Sequence, residues 1–524
     1  VRSRRQRQMC IRDRCNVEQL YDMANNACGP SASVDCDKVF VLGSDVDFKS
    51  IVLSASQRIS SSSNVFSGVF DGRNHNIQNY KSDDSSSSVG LIGYSSGRII
   101  NLNIHNSQMS YSGGSKTGLV IGQFEGGGVH NVKVSGDITG GSAMGGIAGS
   151  VEGTGDYTVI NSQVMGRMTT PDYSVGGIVG SGGPKLKILK TSSSVDINTT
   201  SQSGGIVGNR VGFLKKSKST GSLIGTSGIA GVLGVSESFD TFVQQVYSTM
   251  DITGNSGRVA GLWSTGSNIG EKSYLDNSLS LYSTIDGSGT ADQVGGIAGY
   301  RVEARRTYAS NTVQNSNNNI GGVKGLSSGY EEYNYWNTDI ASLFDGSGFG
   351  SGSVVGLVEG KTGVELLSTA TFSTWDFSDV WAIGSGVRSP MLRWMLHPVC
   401  QENMSAVTYD AIEGIAGGTP NNPHKICFKE QLIDIANNTS TGCNDLGGSD
   451  KSACSKHFVL LNDIDLKGED LNPIGTSTNP FSGHFNGKEN TLFNLTIDQA
   501  GVDHVGLFGW AQACLLYTSP SPRD

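Results

Sequence analysis

The sequence is poor in charge, in proline and in long apolar runs. Charged residues make up 16% of its 524 positions, and only 11 positions are proline. No stretch approaches the roughly 18–20 consecutive apolar residues of a membrane helix, so we expect no membrane span in this sequence. The formal net charge is −9. Because nucleic acid is a polyanion, that charge argues against a nucleic-acid partner.

Cysteine is absent from the long middle of the chain and gathers in two short regions. The closest pairs are Cys28–Cys36 and Cys443–Cys454, and we expect each to close a short disulfide loop. Cys15 and Cys427 either pair elsewhere or stay as buried thiols, and Cys400 has no visible counterpart. Cysteines confined in this way suit an oxidising compartment. No CxxC pattern and no HExxH pattern occurs, so the sequence predicts no zinc centre and no catalytic residue.

Glycine is abundant, with 73 residues, and much of it falls in one recurring phrase. The phrase reads SAMGGIAGSV at Ser142–Val151, SVGGIVGS at Ser174–Ser181 and QSGGIVGN at Gln202–Asn209. Its copies follow one another at steps of 23 to 35 residues, which suits one coil of a solenoid. The last glycines of the copies are Gly93, Gly122, Gly149, Gly180, Gly208, Gly231, Gly299 and Gly325, and a degenerate copy, VAGLWS, ends at Ser264 between the sixth and the seventh.

Strand-like segments lie between these phrases. GRIINLNIHNSQM, GGVHNVKVSGDIT and YTVINSQVMGRMT align and alternate apolar with polar residues, which is the period of a half-buried strand. They place Asn101, Asn131 and Asn161 at intervals of 30, so stacked coils would let their amides hydrogen-bond along the stack. Glycine lacks Cβ and therefore permits sharp corners and close backbone approach, whereas Gly-Gly inside a helix would cost about 2 kcal/mol. The sequence predicts an all-β, right-handed parallel β-helix of about nine coils.

The chain contains two module starts. CNVEQLYDMANN at Cys15–Asn26 matches CFKEQLIDIANN at Cys427–Asn438, and the strand-like segments that follow also match. Each opening stretch predicts a short amphipathic helix, with Leu20 and Met23 buried in the first module. Leu432 and Ile435 are their counterparts in the second. Such a helix would cover the open end of the β-helix, where strand edges are otherwise exposed.

The glycine phrases resemble the GLUG repeat, as in VGLIG at Val89–Gly93 and VGLFG at Val505–Gly509. That repeat occurs in large bacterial surface and secreted proteins, including adhesin-like proteins and the noncatalytic part of some immunoglobulin A zinc proteases. The resemblance implies a noncatalytic stalk or adhesive segment, secreted or at the bacterial cell surface, with a glycan or protein ligand. Two alternatives stay open: a lyase-like or hydrolase-like β-helix enzyme acting on polysaccharide, and the repeat region of a secreted zinc protease.

Both ends of the chain resemble translated sequencing-adapter DNA, so we expect them to lie outside the fold. The sequence therefore predicts six segments in chain order. These are adapter sequence at 1–14, a helical cap with lead-in strands at 15–60, GLUG-type coils at 61–330, a closing segment at 331–396, the start of a second module at 397–513, and adapter sequence at 514–524.

Several side chains are candidates for binding. Asp45 and Asp47, with their counterparts Asp463 and Asp465, project alternate carboxylates that would suit calcium, and no other cofactor is predicted. A second acidic set, which would bind sugar or calcium or simply face solvent, comprises Asp137, Asp196, Asp251 and Asp286. The chain also has three basic segments: KLKILK at Lys185–Lys190, LKKSKS at Leu214–Ser219 and RVEARR at Arg301–Arg306. They form either a groove for a polyanion or solvated edges. We expect the tryptophans of the closing segment to pack internally rather than bind sugar; they are Trp336, Trp375 and Trp381.

Overall fold

The structure is a computed structural model that divides into two compact units, Val1–Thr362 and Gly363–Asp524. The first unit is a β-solenoid of about 13 coils, which confirms the predicted all-β parallel architecture. Over both units, the structure describes residues 11–31, 34–49, 51–53, 58–83, 87–110, 116–267, 271–315, 319–340, 349–384, 389–414, 416–440, 453–466, 469–488, 490–498 and 504–512.

Each coil of the first unit begins with a strand of what we call the first face. These strands pair in parallel with their counterparts one coil later, and inward residues alternate with outward ones. Phe70, Ile99 and Val129, for example, lie in register and are fully buried. Burying such a side chain contributes about 1.5–3 kcal/mol, so these rows make one continuous core. The strands are Ile11–Arg14, Val39–Leu42, Val69–Asp71, Arg98–Ser110, Gly127–Thr139, Tyr157–Ile160, Leu186–Leu189, Phe213–Lys215, Thr241–Gln244, Ser273–Asp276, Glu303–Arg305, Lys324–Asn337 and Phe349–Lys361.

The remaining strands form three further faces. The strands Arg98–Ser110 and Gly127–Thr139 continue around the corner into the second face, whereas Lys324–Asn337 and Phe349–Lys361 begin on the fourth face and run through the first into the second. The second face contains Val46–Asp47, Val52–Leu53, Asn76–Gln78, Lys81–Asp83, Gln163–Thr169, Ser192–Asn198, Lys218–Gly225, Tyr247–Ser248, Asp251–Gly254, Leu279–Gly287 and Tyr308–Asn315. The third contains Ser88–Val89, Lys116–Gly118, Ala143–Gly145, Val175–Gly176, Ser201–Gly204, Ser227–Ala230, Ser256–Ala260, Thr290–Gly295 and Ile320–Gly321. The fourth contains Ile92–Ser95, Ile121–Phe124, Ala148–Val151, Val179–Ser181, Val207–Asn209, Leu233–Val235, Trp263–Thr265 and Ala298–Tyr300.

The corner between the first and second faces is turned by one residue in the left-handed conformation. Asn101, Asn131 and Asn161 occupy it with φ of 52°, 57° and 50°. Asparagine tolerates this region better than most residues. Their amides form the predicted ladder, which begins at Asp71 and has donor–acceptor distances of 3.2, 3.1 and 2.7 Å along the stack. In later coils the same conformation is held by Lys190, Lys216, Gln245, Asn277, Arg306 and Tyr333.

The glycine phrases mark the places where neighbouring coils come closest. A Cβ added to Gly149 would lie 2.3 Å from the backbone nitrogen of Thr117, and one added to Gly146 would lie 2.3 Å from Val164 Cγ1. Neither glycine has a positive φ. Close approach, rather than an unusual backbone conformation, therefore explains the phrase.

The first predicted cap is a helix, α1, at Val17–Asp22, which continues as one π-helical turn at Met23–Ala27. The side chain of Asn16 accepts a hydrogen bond from the backbone N–H of Gln19, a typical N-cap. Leu20 and Met23 are buried in the same core cluster as the first-face strands, as predicted. In the first coil this helix takes the place of strands and covers the core of the next coil.

Two expectations about the coils need revision. The number of coils is about 13 rather than nine, because coils also stack before Gly93 and after Gly325, where the phrase is absent. In this copy of the glycine phrase the last glycine is Gly234 and not Gly231. Leu233 pairs with Val207, so Gly234 is the residue that stacks on Gly208. The sequence GIAGVLG allows both registers, which differ by three residues, and only strand pairing decides between them.

We expected residues Ile11–Arg14 to lie outside the fold. They form the first strand and pair in parallel with Val39–Leu42. Strand pairing uses backbone groups that every residue carries, so a segment of any origin is able to extend an exposed strand edge.

The second unit repeats the start of the first. Its helices α2 and α3 are Pro398–Glu402 and Lys429–Ser440, and its 3₁₀ turns are Glu365–Leu367, Thr369–Phe372, Arg393–Met395 and Ala453–Ser455. Its strands are Trp381–Ala382, Met391–Leu392, His424–Ile426, His457–Leu460, Ile464–Asp465, His484–Asn486 and Leu492–Phe493. Leu432 and Ile435 of α3 are fully buried, as predicted.

The boundary between the units differs from the predicted end of the closing segment at residue 396. The division falls at Thr362, so most of that segment belongs to the second unit. The physical reason is a shared apolar cluster, in which Ala382 and Leu396 pack with Cys400, Cys427 and Phe428.

Candidate binding face

The first pair of calcium candidates connects two coils of the solenoid. Asp45 accepts hydrogen bonds from the backbone N–H of Asn76 and from its side-chain amide, both at 2.9 Å. Asp47 accepts one from the side-chain amide of Asn79 at 2.8 Å. That bond, with one from the backbone N–H of Lys49, holds the pKa of Asp47 below its usual range. Burial alone would raise the pKa of Asp45, but its hydrogen bonds outweigh burial and lower it.

The second pair of candidates repeats this arrangement in the second unit. Asp463 accepts from the backbone N–H of Thr491 at 2.7 Å, and Asp465 accepts from the side-chain amide of Asn494 at 2.8 Å. The motif thus has the same bonding role in both modules. Among the described residues, no group of three or more His, Cys, Asp and Glu side chains is placed to hold a metal ion. Calcium at these aspartates stays a prediction.

The second acidic set also connects coils, and we call this contact an aspartate bracket. Asp137, Asp196 and Asp251 lie on one row of the second face, on alternate coils, whereas Asp286 lies two residues further along. Each of the three accepts a hydrogen bond from the backbone N–H of the residue directly opposite in the next coil. The donors are Arg167 at 3.1 Å, Ser222 at 3.1 Å and Thr284 at 2.7 Å.

The cysteines account for two disulfides with both partners described. Cys28 is joined to Cys36, the pair that its spacing favoured, and Cys400 is joined to Cys427. The sequence suggested no partner for Cys400 and left that of Cys427 open, and the second disulfide joins the two. Cys15 is free and exposed rather than a buried thiol. Cys454 is disulfide-bonded, and its predicted partner, Cys443, lies outside the described residues.

The three tryptophans are buried, as expected for internal packing. Trp336 belongs to the solenoid core and is 6% exposed. In the second unit the rings of Trp375 and Trp381 stack with their centroids 4.2 Å apart. These rings are therefore not available as a flat sugar-binding platform.

The basic segments all contribute to the outward side of the first face, the first two on neighbouring coils and Arg301–Arg306 three coils further on. A set of aromatic rings that the sequence did not reveal lies between them. Lys187 pairs in register with Phe213, then with Phe242 and Tyr274 on the next two coils. We call these three aromatic residues the ring row. The neighbouring outward row runs from Leu189 through Lys215, Gln244 and Asp276 to Arg305.

The ring row is half-exposed, and its members contact one another and nearby cations. The centroids of Phe242 and Tyr274 are 5.6 Å apart. The guanidinium carbon of Arg305 lies 4.9 Å from the Tyr274 centroid and 5.3 Å from that of Tyr330, within cation–π range. Arg305 also forms an ion pair with Glu303 at 3.3 Å. A signal for this row exists in the sequence, because its members recur at intervals of 29 and 32 residues.

The second unit has a cavity of about 560 Å³ on the equivalent side of its strands. His457 and His484 line it with their rings stacked at 5.5 Å, and Lys425 and Lys488 also contribute. Burial, followed by the neighbouring His484, holds the pKa of His457 below its usual value. The ammonium of Lys425 is already paired with the buried carboxylate of Glu413.

Comparisons with known proteins add a likeness to solved structures. No protein-family model and no curated protein matches this chain, so the resemblance to GLUG repeats stays a prediction. Among solved structures, the chain is similar to one from Bacteroides ovatus described as "a putative immunoglobulin A1 protease". The identity is 18%, the match covers 73% of this chain and 92% of that chain, and the TM-score is 0.32. In the described part of the chain, no helix has the length and apolar character needed to cross a bilayer.

Proposed function

We propose that this chain is a noncatalytic stalk or adhesive segment of a large secreted bacterial protein, displayed at the cell surface. Its solenoid would act as a scaffold that spaces and presents side chains on its outer faces. Stability in such a scaffold comes from the contact of each coil with its neighbours. The two disulfides are compatible with an oxidising, extracellular location.

The observation that carries this proposal is that the candidate carboxylates accept hydrogen bonds from neighbouring coils. Asp45, Asp137, Asp196, Asp251 and Asp463 each accept a hydrogen bond from the backbone of the following coil. A carboxylate held in this way is a structural acceptor, and a polysaccharide-cleaving enzyme would need acids free to exchange protons with substrate. The bonding pattern therefore favours a scaffold over a coil-groove enzyme.

The test exposes the purified chain to immobilised polysaccharides and extracellular matrix proteins. Retention is measured by surface plasmon resonance, and release of new sugar ends is measured on the same materials. We expect saturable retention on at least one surface with no release, and a heat-unfolded sample serves as the control. Fragment release that grows with time and protein concentration would contradict the noncatalytic proposal.

A further inference from the structure

We propose that the outward side of the first face binds a strand of acidic polysaccharide, lying along the direction in which the coils stack. This inference rests on the proposed function and names the ligand class for it. The site, which we call the basic–aromatic strip, consists of Lys187, Lys190, Phe213, Lys215, Lys216, Phe242, Tyr274 and Arg305.

The strip begins with four lysines on two neighbouring coils. Lys187 and Lys190 belong to one coil, and Lys215 and Lys216 belong to the next. Lys190 and Lys216 both turn the left-handed corner, with φ of 53° and 52°, so they occupy equivalent positions one above the other. Adjacent parallel strands lie about 4.8 Å apart, which brings these ammonium groups close together.

The fold concentrates this positive charge without neutralising it. Among the described residues, none of the four ammonium groups of Lys187, Lys190, Lys215 and Lys216 has a hydrogen-bond or ion-pair partner. Like charges at such spacing repel one another, and carboxylate or sulfate groups would replace that repulsion with attraction. This concentration stands out because the chain as a whole carries a net charge of −9.

The ring row continues the strip over the next coils. Along the stack, Tyr274 packs against Phe242 and beneath Arg305, so the edges of the rings face solvent more than their faces do. Ring edges carry partial positive charge, and the rings also supply apolar area for the carbon skeleton of a sugar. The strip thus offers cations at one end and a partly positive, apolar ridge beside it.

The length and straightness of the strip suit a polymer rather than a single small ion. From Lys187 to Arg305 it spans five coils, or four spacings, which amounts to about 19 Å. A linear acidic glycan would place charged groups at the lysines of the first two coils and its carbon skeleton along the ring row. The row ends at Glu303, which pairs in register with Tyr274 and forms the ion pair with Arg305. Single-stranded nucleic acid also combines charge with flat groups, but its bases stack on the faces of aromatic rings, and in the ring row those faces are covered by Phe242, Tyr274 and Arg305.

The test measures binding of the full chain to four probes. Two are acidic glycans: hyaluronan oligosaccharides carry carboxylates, and heparin oligosaccharides carry sulfates as well. The other two are neutral dextran oligosaccharides and a single-stranded DNA oligonucleotide. We expect binding to hyaluronan, heparin or both, and the two arms distinguish carboxylate from sulfate recognition. In the double variant Lys187→Gln/Lys215→Gln, affinity should fall about tenfold or more and its dependence on salt should weaken. Phe242→Ala should lower affinity with the salt dependence unchanged.

The matched control is Lys81→Gln/Lys133→Gln, which removes the same charge from the second face and should bind like the parent. Thermal unfolding of every variant checks that the solenoid is intact. The proposal is overturned if neither acidic glycan binds, or if dextran or the oligonucleotide binds as tightly as the acidic glycans. It is also overturned if Lys187→Gln/Lys215→Gln binds like the parent, or if the control pair loses as much affinity as that variant. Retention of a neutral glycan or a protein with no binding of either acidic glycan would overturn the strip and leave the proposed function standing. Turnover of any glycan would overturn the proposed noncatalytic function.

Discussion

The side-chain amide of Asn131 donates a hydrogen bond of 3.1 Å to Oδ1 of Asn101, one coil earlier in the solenoid. Asn131 also turns its corner in the left-handed region, at φ 57°. One residue type therefore meets two needs, because it tolerates the corner conformation and passes a hydrogen bond to the next coil.

These two contributions are separable by substitution. Asn131→Gly keeps the corner accessible and removes only the amide, so we expect a loss of about 1 kcal/mol in the free energy of unfolding. Asn131→Ala adds the strain of a left-handed alanine and should lose about 1–2 kcal/mol more. Urea unfolding followed by circular dichroism measures both. Equal losses for the two variants would show that the corner conformation carries no cost here.

Glycine packing predicts a sharper contrast. Gly149→Ala would place a methyl group 2.3 Å from the backbone of Thr117, and we expect it to destabilise the solenoid by on the order of 2–4 kcal/mol. Gly183→Ala is the matched control, because nothing lies within 4 Å of the added carbon, and its effect should stay within about 0.5 kcal/mol. Thermal unfolding of the two variants checks this. A tolerated Gly149→Ala would refute close approach as the reason for the phrase.

The hydrogen bonds that Asp47 accepts predict a local loss of stability in acid. Its pKa is lowered in the folded state, so the ionised carboxylate stabilises the fold above the unfolded pKa of about 3.9. That contribution is lost as the pH falls through the lower, folded value. We expect the protection of the Lys49 backbone N–H, measured as its exchange rate relative to the intrinsic rate at the same pH, to fall below about pH 4. In Asp47→Asn this loss of protection in acid should be absent, and a pH profile identical to that of the parent would contradict the assignment.

The first strand predicts a stabilising substitution. Arg14 is 5% exposed and pairs opposite Leu42, whereas the second unit has the fully buried Ile426 opposite Leu460. Arg14→Ile removes a charge from an apolar site, and we expect a gain of about 1–2 kcal/mol. Arg98→Ile, at an exposed position of the same face, should leave the unfolding midpoint nearly unchanged. A loss in Arg14→Ile would mean that the contact of the guanidinium with Phe40 outweighs the charge burial.

A buried ion pair near the end of the solenoid should respond strongly to the loss of one partner. The ammonium of Lys324 lies 2.6 Å from the carboxylate of Glu331, both are 1% exposed, and Asn334 donates to the same carboxylate at 3.0 Å. Glu331→Gln leaves the ammonium without its counter-charge and should cost about 3–5 kcal/mol. Adding Lys324→Met should recover part of that loss in urea unfolding. A double variant less stable than Glu331→Gln would contradict this account.

Much of the architecture was predictable because it follows from local repetition. The alternation around Asn101, Asn131 and Asn161 and the glycine phrases both report a repeated coil, and the parallel solenoid and the amide ladder follow from them. The number of coils and the register at Gly234 were not predictable, because coils also stack where the phrase is degenerate or absent.

The basic–aromatic strip was visible only in part. Its basic segments stand out in sequence, but Phe213, Phe242 and Tyr274 are 29 and 32 residues apart, and only the stacking of coils shows that they form one row beside the lysines. The spacing of the aspartates predicts metal ligands, and only the structure shows that the next coil supplies hydrogen-bond donors to them. Calcium binding there stays a prediction.

The amino-acid sequence by itself determined the repeating unit of this protein, because a periodic placement of apolar, glycine and asparagine residues defines a coil without reference to its neighbours. Tertiary structure alone decided which outward side chains share a surface. Stacking brings residues of successive coils within about 4.8 Å of one another, and the row that each residue joins depends on coil length and register, which only strand pairing sets.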